Sequence, residues 1–238
     1  MKKHSKSNKI PAGPLDDMPA PETLQARVVT TSDNPAIHGY NMYHDLVKHY
    51  SFTEMIYLSL KGELPNKESG HAFEIALKFL FPISISEAPS HAGVVGKICT
   101  GQPSAVMGMT AITLIDMARQ CIEDHQKLLV WLYSPTDELP KSFRAKEENT
   151  RKIVLELKNH LAQTQFSCDI FKHDPNLISA LIAVLYACGL QVPEQIQAAI
   201  VFAKYPCAIA EGFAVPAFSL FEYPLRLPNY QYKDSYEK

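Results

Sequence analysis

The chain has 238 residues, 46% of them hydrophobic and 20% charged, with a formal net charge of −2. That length supports one large domain, or a domain with a small subdomain, around a sizeable core. The near-neutral charge excludes a global drive toward nucleic acid or an anionic membrane.

Residues 1–24 read as an irregular, Pro-containing leader. Lys2, Lys3, Lys6 and Lys9 make it basic, but no aromatic residues are interleaved for base stacking, so a solvated tail is expected and no nucleic-acid partner. No apolar stretch of signal-peptide type follows. Residues 27–31 (RVVTT) are β-branched and predict one small strand. From there on the pattern is helical.

Ser51-Phe-Thr-Glu54 is a capping box, in which the Ser hydroxyl and the Glu carboxylate satisfy each other's backbone amides. The helix it opens should stop at Gly62, with Pro65 just beyond. Asn66 can cap a second helix whose apolar positions are Phe73, Ala76, Leu77 and Leu80. After a break at 82–89, a helix is expected over 90–100. Residues 103–133 then form one long helix or two, with Gly108 as the one breaker. Residues 134–140 are a loop, and 145–165 predict an amphipathic helix with Ile153, Leu157 and Leu161 on one face.

Asp174-Pro175 reads as an N-cap followed by proline at the first helical position. The helix it starts, ending near Gly189, is apolar nearly all round and belongs at the centre of the core. Its run at 178–190 is shorter than the about 20 residues a bilayer span needs, so no membrane partner and a cytoplasmic location are expected. A last helix begins at Pro193 and should be interrupted at Pro206 and Pro216. Residues 224–238 are rich in Tyr and Pro and read as extended. Cys99, Cys121, Cys168, Cys188 and Cys207 stand far apart without a Cys-x-x-Cys pair, which favours reduced core cysteines over a disulfide framework or a metal site.

Generic motifs add little. There is no Gly-rich phosphate loop, Gly-x-Ser-x-Gly elbow or His-Glu-x-x-His helix. His44 and His49 are five apart and share a helix face poorly, and His91, His125, His160 and His173 are scattered. Glu147-Glu148 reads as part of a solvated face.

Residues 36–65, AIHGYNMYHDLVKHYSFTEMIYLSLKGELP, resemble the N-terminal signature of the citrate synthase and citryl-CoA lyase superfamily, with His38 where that family has arginine. Residues 175–211, PNLISALIAVLYACGLQVPEQIQAAIVFAKYPCAIAE, are similar to its segment "PNVDgaxaxxLxxLG" followed by "fxxsRxpGxxAH". A weaker likeness covers 90–116, including Thr100-Gly101-Gln102-Pro103, and the tail at 224–232 is like the family's closing "RP…Y". The resemblance implies an all-α, citrate-synthase-like helical bundle with a large and a small subdomain over 25–238. It also implies few or no strands and a homodimer formed through long helices.

The family's chemistry needs a carboxylate to take a proton α to a thioester, histidines to stabilise the enolate and polarise the oxo acid, and arginines to grip carboxylates. Carried over position by position, the aspartate of "PNVD" is Ile178, which accepts no proton. The first histidine falls on Arg119, without the glycines that accompany it, and 139–151 holds no histidine for the second. The substrate arginine of "sRxpG" becomes Lys204, which keeps the charge and loses the fork, and Arg226 retains a family arginine.

No catalytic residue and no metal ligand is therefore expected. Lys204 and Arg226 are the candidate substrate-binding cations, a CoA ester is a possible ligand with no cofactor held tightly, and a di- or tricarboxylate is a possible partner. Three readings stand: a catalytically degenerate relative, alone or paired with an active partner; an active acyltransferase or lyase with relocated groups, for which His125, Glu123 and Asp124 are nearest; and a helical interaction module. An open cleft with converging titratable groups separates the second from the first. A cleft filled by apolar side chains marks the third.

Overall fold

The computed structural model describes residues 26–30, 33–135 and 138–216, apart from the side chain of Thr100. The expected leader at 1–24, the closing segment at 224–238 and with it Arg226 lie outside the described residues.

A small antiparallel sheet comes first: β1 (Val29–Thr30), β2 (Ala36–Ile37) and β3 (Tyr40–Asn41), with Val29 opposite Ile37 and Ala36 opposite Asn41. The β-branched run at 27–31 thus supplies one strand of a three-stranded sheet. Asn41 caps the turn that follows, accepting from the amides of Tyr43 (3.0 Å) and His44 (2.8 Å). A π-helical turn over Met42–Leu46 runs into α1 (Val47–His49).

Helix α2 (Phe52–Lys61) begins at the capping box: the Ser51 amide donates to Glu54 Oε2 at 2.7 Å and the Glu54 amide to Ser51 Oγ at 3.3 Å. It ends at Gly62, whose φ of 87° lies in the left-handed region that glycine occupies without a Cβ clash. Helix α3 (Lys67–Leu80) is capped by Asn66, as its sequence predicts, with Phe73, Ala76, Leu77 and Leu80 buried.

Helix α4 (Ala88–Thr100) starts two residues earlier than expected. Over 103–133 there are two helices, α5 (Pro103–Asp124) and α6 (Gln126–Tyr133), and the break falls at His125, not at Gly108. Gly108 meets nothing that would strain a helix, and the break follows from the fold, because α6 turns inward to bury Leu128 and Trp131.

Helix α7 (Glu148–Gln163) buries Leu157 and Leu161 as expected, with Val154 in place of Ile153, which is over a third exposed. Ala145 is not helical: its amide donates to the Asp174 carbonyl at 2.9 Å, beside an antiparallel bridge between Arg144 and Pro175.

Helix α8 (Leu177–Ala187) is capped by Asn176, not by Asp174. Asp174 has φ 52°, and its carboxylate pairs with Arg151 Nε at 3.0 Å, which removes it from the cap. Ser179 through Leu185 are all buried, so α8 is the central helix. Around it lie α3, α7, α6 and α9 (Pro193–Ala214). Helix α9 runs unbroken past Pro206, contrary to the expected interruption. A proline inside a helix forfeits one backbone bond, and the packing of α4 and α5 along α9 offsets that loss.

Helices α4, α5 and α9 form a closely apposed layer. Its contact is made by small residues: a Cβ on Gly212 would come within 2.6 Å of Val106 Cγ1 and 2.9 Å of the Gly93 carbonyl carbon. Helix α5 leaves Met107, Met109, Ile112 and Ile115 exposed, the two isoleucines beside the cavities described below. Among the described residues α5 is the one helix long and apolar enough to cross a membrane by length and composition. In this fold it packs along α4 and α9.

Candidate functional site

Three cavities meet at one side chain. Ile178, at the start of α8, lines a chamber of about 880 Å³ against α5, a second of about 620 Å³ against α3 and α7, and a narrow throat of about 160 Å³. The cleft between the α5–α9 layer and the α8 core is therefore open, which disfavours a cleft filled by apolar packing.

The α5 chamber carries the polar groups: Asp116, Arg119, Gln120, Cys121, Asp124 and His125, with Ile178 among its other lining residues. The two positions where the sequence resemblance puts a histidine and an aspartate, Arg119 and Ile178, thus border one cavity.

Neither supplies an acid or a base. The Arg119 guanidinium donates to Asp116 Oδ1 at 2.7 Å through Nη2 and binds Glu123 through Nη1. These bonds, that to Asp116 foremost, hold its pKa above the ordinary arginine value. Glu123, one of the possible relocated groups, is consumed in this pairing. Asp124 accepts from Gln120 Nε2 at 2.9 Å.

His125, at the helix break, places Nδ1 at 2.7 Å from the Cys121 carbonyl oxygen, with its ring 5.4 Å from that of Phe143. A carbonyl can only accept, so Nδ1 is the donor in this bond. The Cys121 thiol lies 4.0 Å from Nδ1. Burial, with Asp124 adding to it and Lys204 opposing it, pushes that thiol above its ordinary range, so it stays protonated at neutral pH.

Lys204 lies at the other side of the cleft, lining both the throat and the α3–α7 chamber. Its ammonium donates to the Pro82 carbonyl at 2.8 Å, and no carboxylate pairs with it among the described residues. Lys78 and His160 line the same chamber. Lys78 is held by Glu74 at 2.7 Å, and the His160 ring stands 6.0 Å from Phe79.

The structure thus brings together Ile178, Arg119, Asp124 and His125 in one cavity and Ile178 with Lys204 in the next. Sequence reasoning did not single out Cys121, Lys78 or His160 as cleft residues. They come from α5, α3 and α7, and no spacing links them. Glu147 and Glu148 are exposed. Among the described residues no group of three or more His, Cys, Asp or Glu could hold a metal ion.

No protein-family model matches the sequence, and no curated protein matches it. Solved structures do. Citryl-CoA lyase from Hydrogenobacter thermophilus is similar with a TM-score of 0.59 and 15% identity, over 89% of this chain and 95% of that one. ATP citrate lyase from Methanosaeta concilii, solved in complex with (3S)-citryl-CoA, is similar with a TM-score of 0.50 and 12% identity, over 90% of this chain and 43% of that one. The chain therefore has the all-α citryl-CoA lyase fold that its sequence motifs led us to expect, with a small three-stranded sheet added at the start.

Proposed function

We propose that this chain is a citrate-synthase-type protein that binds a CoA ester or a carboxylate in its cleft and does not carry out efficient carbon–carbon bond chemistry. One observation carries the reading: Ile178 occupies the wall of the cleft where a proton acceptor is needed, and Arg119, on the facing helix, is neutralised by two carboxylates. A carbon acid α to a thioester then meets no base, and no unshared cation faces an enolate oxygen from that position. The titratable groups that line the chamber sit on α5 and the break that ends it, not on opposing walls. The bound CoA and citryl moieties of the similar ATP citrate lyase make an acyl-CoA ligand the natural first trial.

The test is a thiol-release assay with acetyl-CoA and oxaloacetate, and its reverse with citryl-CoA. Typical enzymes turn over about ten times per second. Loss of acid–base and electrophilic groups costs at least about 10⁴-fold. Turnover at or below about 10⁻³ per second is expected. A rate near one per second in either direction overturns the reading and supports relocated groups, with His125 Nε2 as the nearest base.

The same reading includes a homodimer in the cytoplasm. The exposed Met107 and Met109 of α5, which do not line the cleft cavities, offer apolar surface that a second copy would cover, and all five cysteines are free thiols. Light scattering at tens of micromolar should give twice the chain mass, with more than about 1,000 Å² buried in total. A monomeric mass at that concentration overturns it.

A further inference from the structure

Resting on the reading of the cleft as an acyl or carboxylate site, we infer that its ligand is an amphipathic monoanion: an unbranched aliphatic carboxylate of medium chain length, with its chain in the throat and its charge at Lys204. The throat is lined mostly by apolar side chains, Leu80, Met117, Ile178, Leu181 and Ile200 among them, with Cys121, Glu87 and Lys204 as its polar members. Such a wall offers a hydroxylated or multiply charged ligand few partners, and each unpaired polar group taken there is penalised. It suits methylenes.

The throat's charged members are Glu87, whose Oε1 already accepts from the Ser84 amide at 2.8 Å, and Lys204, the one cation. Lys204 lines the throat and the chamber beyond it, and its one recorded bond is to the neutral Pro82 carbonyl, which a carboxylate could supplant or share. Lys78 is already held by Glu74 and Arg119 by two carboxylates, so the charge offered to a ligand here suits one carboxylate, not two or three. The exchange of an aspartate-type position for Ile178 fits the same logic. It removes a like charge from the path of an anion and adds apolar surface at the junction of the three cavities.

Binding should therefore grow with chain length. Each buried methylene adds about three- to fourfold in affinity, so decanoate should bind on the order of a hundredfold more tightly than hexanoate. Calorimetric titration of the full chain with decanoate, hexanoate, citrate and coenzyme A reads this directly. Lys204→Ala should weaken decanoate by about ten- to a hundredfold and leave the uncharged decanol unchanged. Ile178→Trp should abolish both by filling the junction. If the tryptophan variant fails to fold, the half-buried Lys204 position still decides the matter.

Citrate binding without decanoate binding overturns the inference and leaves the proposed function standing. No binding of decanoate, citrate or coenzyme A overturns both. Decanoate binding that survives both variants places the ligand elsewhere and also overturns the inference.

Discussion

Replacing Gly212 by alanine tests the close contact of α9 with α4 and α5. The new methyl carbon would sit 2.6 Å from Val106 Cγ1, 2.9 Å from the Gly93 carbonyl carbon and 3.0 Å from its oxygen. A valine methyl can turn away, but helix backbone cannot, so the two helices must separate. Overpacking of this kind costs about 1–3 kcal/mol. Against it stands the gain of replacing glycine inside a helix, about 0.5–1 kcal/mol. The balance is a loss of roughly 1–2 kcal/mol. For a chain of this size 1 kcal/mol moves the melting temperature by about 2–4 °C, so a fall of roughly 2–8 °C is expected. Gly108 is the control, because a Cβ there meets nothing within 4 Å in the chain. The same change at Gly108 should stabilise by about 0.5–1 kcal/mol when the protein is dilute enough to be monomeric. Thermal and urea unfolding of both variants check this. A Gly212→Ala protein as stable as the parent would mean that α4 and α9 do not meet at Gly93.

Removal of the Ser51 hydroxyl by Ser51→Ala should cost about 1 kcal/mol in urea unfolding, because the Glu54 amide loses its acceptor and the Glu54 carboxylate keeps only the residue 51 amide as a partner. Stability should also fall in alkali. Burial raises the thiols of Cys121, Cys168 and Cys188 and the phenol of Tyr57 above their ordinary values. The unfolded chain therefore gives up these protons first. Their contribution is complete below about pH 8.5, where unfolded cysteine titrates, and is lost as pH rises beyond it. The urea midpoint should be lower at pH 9.5 than at pH 7.5, and an unchanged or higher midpoint would contradict the burial of these groups. Tyr57→Phe should cost about 1–3 kcal/mol, since its hydroxyl donates at 2.7 Å to the buried Cys188 carbonyl.

Features decided by neighbours within four residues were legible in the sequence. The Ser51–Glu54 box, the Gly62 stop and the Asn66 cap all appear as their patterns predict, because each is a closed local circuit of hydrogen bonds. Misplaced features were those decided at a distance. Asp174 looks like a cap, but Arg151, in α7, takes its carboxylate and passes the role to Asn176. Pro206 looks like a stop, but two neighbouring helices carry α9 past it. His125 carries no breaker chemistry of its own, and the chain turns there because Leu128 and Trp131 have a core to enter. At the site, aligned motifs placed Ile178 and Arg119 on one cavity. The meeting of Lys78, His160 and Lys204 could not be read, because α3, α7 and α9 converge only through tertiary packing.

The glycine contact between α4 and α9 also sets a schedule for synthesis. Helices α4 and α5 are adjacent in sequence and can pair as soon as they emerge, but the helix that covers their shared groove starts at Pro193, about seventy residues after α5 ends at Asp124. At about 5–20 residues per second the ribosome needs roughly 4–14 s to deliver it. For that interval Val106 and Gly93 face water, beside the already exposed apolar side chains of α5. A nascent chain paused or truncated between α8 and α9 therefore presents two sticky faces on one hairpin. In that window the chain exposes apolar surface that the finished fold covers, the condition that favours aggregation.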